Sequence, residues 1–281
     1  MNKDFLKNKL EEYIHDLRLQ ELTKKTLIDY RQAVNIFIDF IKNDNFILDK
    51  ELLLDYGNYL EEKYLPATYN KYVILINKFL KYLGYDNLFL KKQKIQQKTS
   101  IDDPIWEQEH KRMLRWANKL GLDDMYLIIK IFAYTGIRCQ ELKAFKVENI
   151  DNYISVKNKG KNRKIILRND LKREIKQYCR THKIKEGYIF RKPSDPNNPN
   201  KMISANTVWR RLKRIAGYAR INKDKIKPHG WRHLFAKEYM ATGGSLDELA
   251  DILGHSKLET TRIYTMTSNK EKRLKMERMK I

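Results

Sequence analysis

Residues 135–142 read TGIRCQEL: a threonine and a glycine, then an arginine followed three positions later by a glutamate. This turn closes one kind of pattern and opens another. Upstream, Trp106–Leu120 and Met125–Ala133 carry apolar residues at helical spacing, and the second pattern stops at Thr135 and Gly136, where a glycine ends a helix without steric cost. Downstream, a short helix is expected over Cys139–Phe145. The stretches Tyr153–Val156 and Lys164–Leu167 follow as two β-branched strands around a basic turn that contains Gly160. Asn169 or Asp170 starts a further helix. PSDPNNPN at 193–200 is an exposed loop, and Ser204 caps a helix running to Tyr218, with Arg210, Arg211, Lys213 and Arg214 around Val208, Leu212 and Ile215.

Residues 1–90 predict four helices. Phe5, Leu6, Leu10, Tyr13, Ile14 and Leu17 recur at three- and four-residue spacing, as do Leu27, Tyr30, Val34, Phe37, Ile38 and Ile41. Asp49 caps a third helix that stops before Pro66. Thr68 is the expected cap of a fourth, with Gly84 just beyond its end. Residues 91–104, KKQKIQQKTSIDDP, read as a basic linker. The expected fold is mainly α with one small antiparallel β-hairpin: a helical domain over 1–90, the linker, and a mixed α/β domain over 105–281.

The chain has 281 residues with 58 Lys and Arg against 35 Asp and Glu, a net charge of +23. Residues 1–90 hold 13 basic and 14 acidic side chains, so the whole excess lies in 91–281. A field of one sign concentrated in this way attracts polyanions, and lysine and arginine contacts to phosphate supply most sequence-independent affinity for nucleic acid. Double-stranded DNA is the expected partner. No apolar run approaches a membrane span or a secretory signal, which places the protein in the cytoplasm. Cys139 and Cys179 form no CxxC or Cys/His cluster, so structural zinc and a disulfide framework are disfavoured, and both cysteines are expected as small packing residues. There is no GxxxxGK[ST] or GxGxxG loop to support nucleotide hydrolysis or dinucleotide binding.

Four clusters carry the chemistry: TGIRCQEL at 135–142, Lys159-Gly160-Lys161, His229-Gly230-Trp231-Arg232-His233, and Leu253-Gly254-His255 followed nine residues later by Tyr264. Each alone suits a solvated or packing role. Their joint order and spacing resembles the tyrosine recombinase (phage integrase) family, whose boxes read approximately TGLRxxEL, a hairpin lysine, HxLRH, LGH and TxxYxH. Trp231 stands where leucine is more usual, Cys139 follows the first arginine, and Met266 replaces the histidine common after the tyrosine. None of these departures removes a reactive group.

The resemblance implies a helical core-binding domain, a mixed α/β recombinase catalytic domain and a set of roles. Arg138 and Arg232 would grip the scissile phosphate, a task suited to planar donor forks that stay ionised. Glu141 would orient the site. Lys159 would protonate the leaving 5′ oxygen, with Lys161 as its neighbouring rival. His229 would accept the proton of the nucleophile, and His255 would hydrogen-bond the phosphate. Tyr264 would attack, its phenol with an ordinary pKa of about 10 losing its proton among cations. The implied activity is site-specific recombination through a 3′-phosphotyrosine and a four-way junction, needing no cofactor, metal or ATP. The implied assembly is a homo-tetramer on two DNA sites, with exchange of the tail after Tyr264, in which Leu274, Met276 and Met279 lie among charges. An architecture without an arm-binding module resembles chromosome-dimer resolvases and small mobile-element integrases. Arg210, Arg211, Lys213 and Arg214 are candidate DNA contacts. Two other functions fit the same boxes: a type IB topoisomerase, which rejoins the same strand, and a catalytically silent DNA-binding protein.

Overall fold

The four N-terminal patterns become helices α1 (Lys3–Leu19), α2 (Lys24–Phe40), α3 (Lys50–Lys63) and α4 (Pro66–Tyr82). The computed structural model describes residues 1–95, 104–158, 161–227, 230–255, 261–262, 273 and 276–279, the side chains of 157, 158 and 161 excepted. It falls into two units, Met1–Gln97 and Lys98–Ile281. In the first unit Asn2, Thr23 and Asp49 cap their helices by accepting backbone N–H groups that the first turn leaves unpaired. The fourth helix starts three residues before the position that Thr68 suggested. Leu65 is its N-cap and Pro66 its first residue, because proline has no N–H to leave unpaired there and its φ is already helical.

Leu6, Leu10, Val34, Phe37, Leu53, Tyr56, Leu60, Val73, Ile76 and Phe79 close the core of this unit. Beyond α4 the chain is held against it. Asn77 Nδ2 donates to Leu90 O at 2.9 Å and its Oδ1 accepts from Leu90 N at 2.9 Å. Seven residues earlier on the same face, Asn70 makes the same pair with Gln93, at 2.9 and 2.8 Å. Two side-chain amides thus satisfy both backbone groups of Leu90 and of Gln93.

The second unit is built around α6 (Asp123–Thr135), which buries residues on every side from Met125 to Thr135. It packs against α5 (Glu107–Lys119), α7 (Asn169–Thr181), α8 (Ala205–Tyr218) and α9 (Gly230–Ala241). Strands β1 (Tyr153–Asn158) and β2 (Lys161–Ile166) form an antiparallel hairpin with Val156 opposite Arg163 and Ile154 opposite Ile165. Helix α10 (Leu246–Leu253) packs on β2 and α9. The short helix expected over Cys139–Phe145 is a 3-10 helix over Cys139–Ala144, its start closed by the Glu141 carboxylate accepting the N–H of Arg138. Phe132, Trp209 and Trp231 meet with centroids 5.9 to 6.2 Å apart and join α6, α8 and α9. Cys139 and Cys179 are buried packing residues.

Candidate active site

The end of α6 sets the geometry. Gly136 has φ +58°, and a Cβ there would lie 2.5 Å from Phe235 Cδ1 and 2.9 Å from Leu253 Cδ2. Only glycine both takes this left-handed conformation cheaply and lets α9 and α10 approach so closely. Two residues on, Arg138 leaves its side chain 31% exposed, while the Glu141 carboxylate is only 4% exposed. Glu141 Oε2 accepts from Arg138 N at 2.8 Å and Oε1 from Arg138 Nη1 at 3.4 Å. The same carboxylate takes Arg163 Nη2 at 2.6 Å and Nε at 3.3 Å. Burial alone would raise the pKa of Glu141, but the hydrogen bonds and charge of Arg163, with the N–H and charge of Arg138, outweigh it and hold the acid below the usual carboxylate range.

Arg232, on α9, is 1% exposed. Its Nη1 donates to Gly136 O at 2.7 Å and its Nη2 to Leu253 O at 2.5 Å. It therefore ties together the C-termini of α6 and α10, where unpaired carbonyls and the negative end of each helix dipole favour a cation. Arg232 Nη2 also lies 2.8 Å from His255 Nε2. Arginine has no acceptor, so Nε2 accepts and the ring proton sits on Nδ1, which donates to Thr261 Oγ1 at 2.7 Å. Gly254, with φ +66°, turns the chain from α10 into His255. Upstream of α9, Lys225 pairs with Glu109 at 2.8 Å with both side chains nearly buried, and a Cβ on Gly230 would meet Ile105 at 2.8 Å.

Arg138, Glu141, Arg232 and His255, drawn from three separate stretches of chain, thus converge on the ends of α6 and α10. Lys159, His229 and Tyr264 lie outside the described residues, as does the side chain of Lys161. Of the basic residues on α8, Arg210, Lys213 and Arg214 are exposed. Arg211 instead turns inward to a two-pronged ion pair with Asp124 at the start of α6. Arg163 was missed by motif reading. Alternation along β2 puts Arg163 on the same face as the buried Ile165, and a charge on that parity needs a buried partner.

Guanidinium groups, an acid and an imidazole gathered at two helix ends suit a site that binds a phosphodiester and stabilises charge on it. The phage integrase family model matches residues 105–271, and the chain belongs to that family. It is a tyrosine recombinase, an enzyme of site-specific recombination. Tyrosine recombinase XerA of Pyrococcus furiosus is 26% identical over 274 residues, covering 96% of this chain and 93% of that protein. The fold is similar to a lambda integrase dimer bound to a COC' core site, with TM-score 0.72, 17% identity, and coverage of 92% of this chain and 76% of the other. It is also similar to the XerH site-specific recombinase bound to difH substrate in a pre-cleavage complex, with TM-score 0.67, 20% identity, and coverage of 88% and 79%. No helix among the described residues is long and apolar enough to cross a membrane.

Proposed function

We propose that the protein cuts and rejoins double-stranded DNA through Tyr264. The phenol oxygen bonds to the scissile phosphorus, the bond to the 5′ oxygen breaks, and a 3′-phosphotyrosine and a free 5′ hydroxyl result. His229 takes the phenol proton, and Lys159 gives one to the departing 5′ oxygen. Arg138 and Arg232 hold the non-bridging oxygens, His255 adds a hydrogen bond, and Glu141 orients Arg138. The phosphotyrosine conserves the energy of the diester, so a 5′ hydroxyl from a second strand can reseal the backbone without ATP.

The observation that carries this reading is the anchoring of Arg232 between Gly136 O and Leu253 O, two residues from Arg138 on one side and two from His255 on the other. A guanidinium fixed before substrate arrives reorganises little as charge develops, which is how preorganised sites lower a barrier. Exchange between two duplexes by way of a four-way junction, a tetramer with tail exchange, action on cytoplasmic DNA, and phosphate contacts from Arg210, Lys213 and Arg214 complete the proposal.

Nicked DNA bearing candidate sites, incubated with the protein in chelator, tests it. A denaturant-resistant 3′ adduct that disappears in Tyr264→Phe while DNA binding stays near normal is the expected result. Adduct formation that survives in Tyr264→Phe would remove Tyr264 as nucleophile. Rejoining only to the original strand would assign a topoisomerase instead.

A further inference from the structure

We infer that Arg163, on β2, is a positioning residue for the phosphate-gripping groups, holding the Glu141 carboxylate with one edge of its guanidinium and the C-terminus of α10 with the other; this rests on the roles given to Arg138, Arg232 and His255 above. Its side chain is 9% exposed. Nη2 and Nε face Glu141, at 2.6 and 3.3 Å, and Nη1 donates to Ile252 O. The next carbonyl, Leu253 O, belongs to Arg232. Two guanidinium groups from different elements therefore divide adjacent carbonyls of one helix end. The fit at this end is close: a Cβ on Gly254 would come within 2.5 Å of Arg163 Cδ.

Each of these contacts leads to a group assigned to the phosphate. Glu141 binds both the backbone and the side chain of Arg138. Ile252 lies three residues before His255, whose Nε2 sits on Arg232. Removing Arg163 leaves a buried carboxylate with one cation fewer and frees a helix end that locates His255. Arg138 then swings toward Glu141, which has become the stronger competitor for it. Because Arg163 touches Glu141 and α10 rather than DNA, its loss spares affinity and slows the step in which charge grows on the phosphorus, where a displacement of about 1 Å can cost about 100-fold.

The test compares wild type with Arg163→Met and Arg163→Lys on two nicked substrates, one with an ordinary scissile phosphate and one with a methylphosphonate. Replacing a charged oxygen with methyl lowers the demand on the arginines. On phosphate, Arg163→Met is expected to slow adduct formation by about 100-fold, with DNA affinity changed less than about twofold. On methylphosphonate the deficit should shrink to a few-fold, because a centre that starts neutral gathers one negative charge where the diester gathers two and so depends less on the misplaced groups. A merely structural defect slows both substrates equally, and that result would overturn the inference, as would unchanged cleavage of phosphate. If Arg163→Met does not fold, Arg163→Lys, which keeps the charge but cannot reach Glu141 and Ile252 together, carries the same comparison. A wild-type protein that gives no Tyr264 adduct on either DNA would instead fail the proposed function itself.

Discussion

Trp231 donates its indole N–H to Nδ1 of His110 at 3.4 Å within the core of the second unit. A leucine in place of Trp231 would ask nothing of His110. The tryptophan needs an acceptor, and His110 serves only while Nδ1 is unprotonated. Burial first, then the charge of Lys130, pushes the His110 pKa from its ordinary 6.5 down to about 4.

That shift has a definite sign. The folded pKa lies below the unfolded one, so as pH falls through about 6.5 the unfolded chain takes up a proton that the native state refuses until about 4. Stability is complete above this window and declines across it, by up to about 3 kcal/mol at 1.4 kcal/mol per pH unit. Urea midpoints at pH 7 and pH 5 should differ more for wild type than for His110→Gln. Equal differences in the two proteins would refute the assignment.

Gly136→Ala should cost about 3 kcal/mol. Part is the price of a left-handed alanine and part the overpacking of a methyl group 2.5 Å from Phe235 Cδ1. Denaturant unfolding reads the loss. A cost under about 1 kcal/mol would mean that α9 shifts away with little resistance.

The basic residues of α8 should separate into two classes. Lys213→Ala should reduce the slope of log binding constant against log salt by about one, the mark of a lost phosphate contact. Arg211→Ala should leave that slope alone and lower stability by about 1–2 kcal/mol, since Asp124 loses a half-buried partner. Salt titrations of DNA binding beside thermal melts decide it, and an altered slope in Arg211→Ala would show that this residue leaves Asp124 for DNA.

Asn77→Ala should release the segment that follows α4. The Leu90 amide, bound to Asn77 Oδ1 at 2.9 Å, should lose most of its hydrogen-exchange protection, while the amides of α4 itself keep theirs. Protection at Leu90 that persists in the variant would mean that Asn70, through Gln93, holds the segment unaided.

The helical framework was legible because apolar spacing and caps are local signals. Ser204 Oγ accepts from Thr207 N at 3.1 Å, as its position before the α8 pattern predicts. The start of α4 was misplaced because Thr68 looks like a cap, yet Pro66 two residues earlier already satisfies the first turn. Motif order marks Arg138, Glu141, Arg232 and His255 as candidates, and the fold brings these four together at the ends of α6 and α10. Helical spacing sets Arg211 beside the buried Val208 and Ile215 and leaves Arg210, Lys213 and Arg214 on the far side, but it could not name Asp124 as the partner, because that depends on what α6 presents. Strand alternation places Arg163 on the buried side of β2, but its partners, Glu141 and Ile252, lie 22 and 89 residues away, beyond the reach of any local pattern.

The sharing of Glu141 between Arg138 and Arg163 also bears on how this chain can drift over generations. A buried charge stripped of its partner costs several kcal/mol, whereas replacing partners together by well-packed neutral groups is often tolerated. A neutral residue at 163 leaves the buried Glu141 with Arg138 as its one cation, and a neutral residue at 141 leaves the buried Arg163 with the Ile252 carbonyl but no counter-charge. The route to a different arrangement runs through paired change, so the two positions are expected to be inherited as one character.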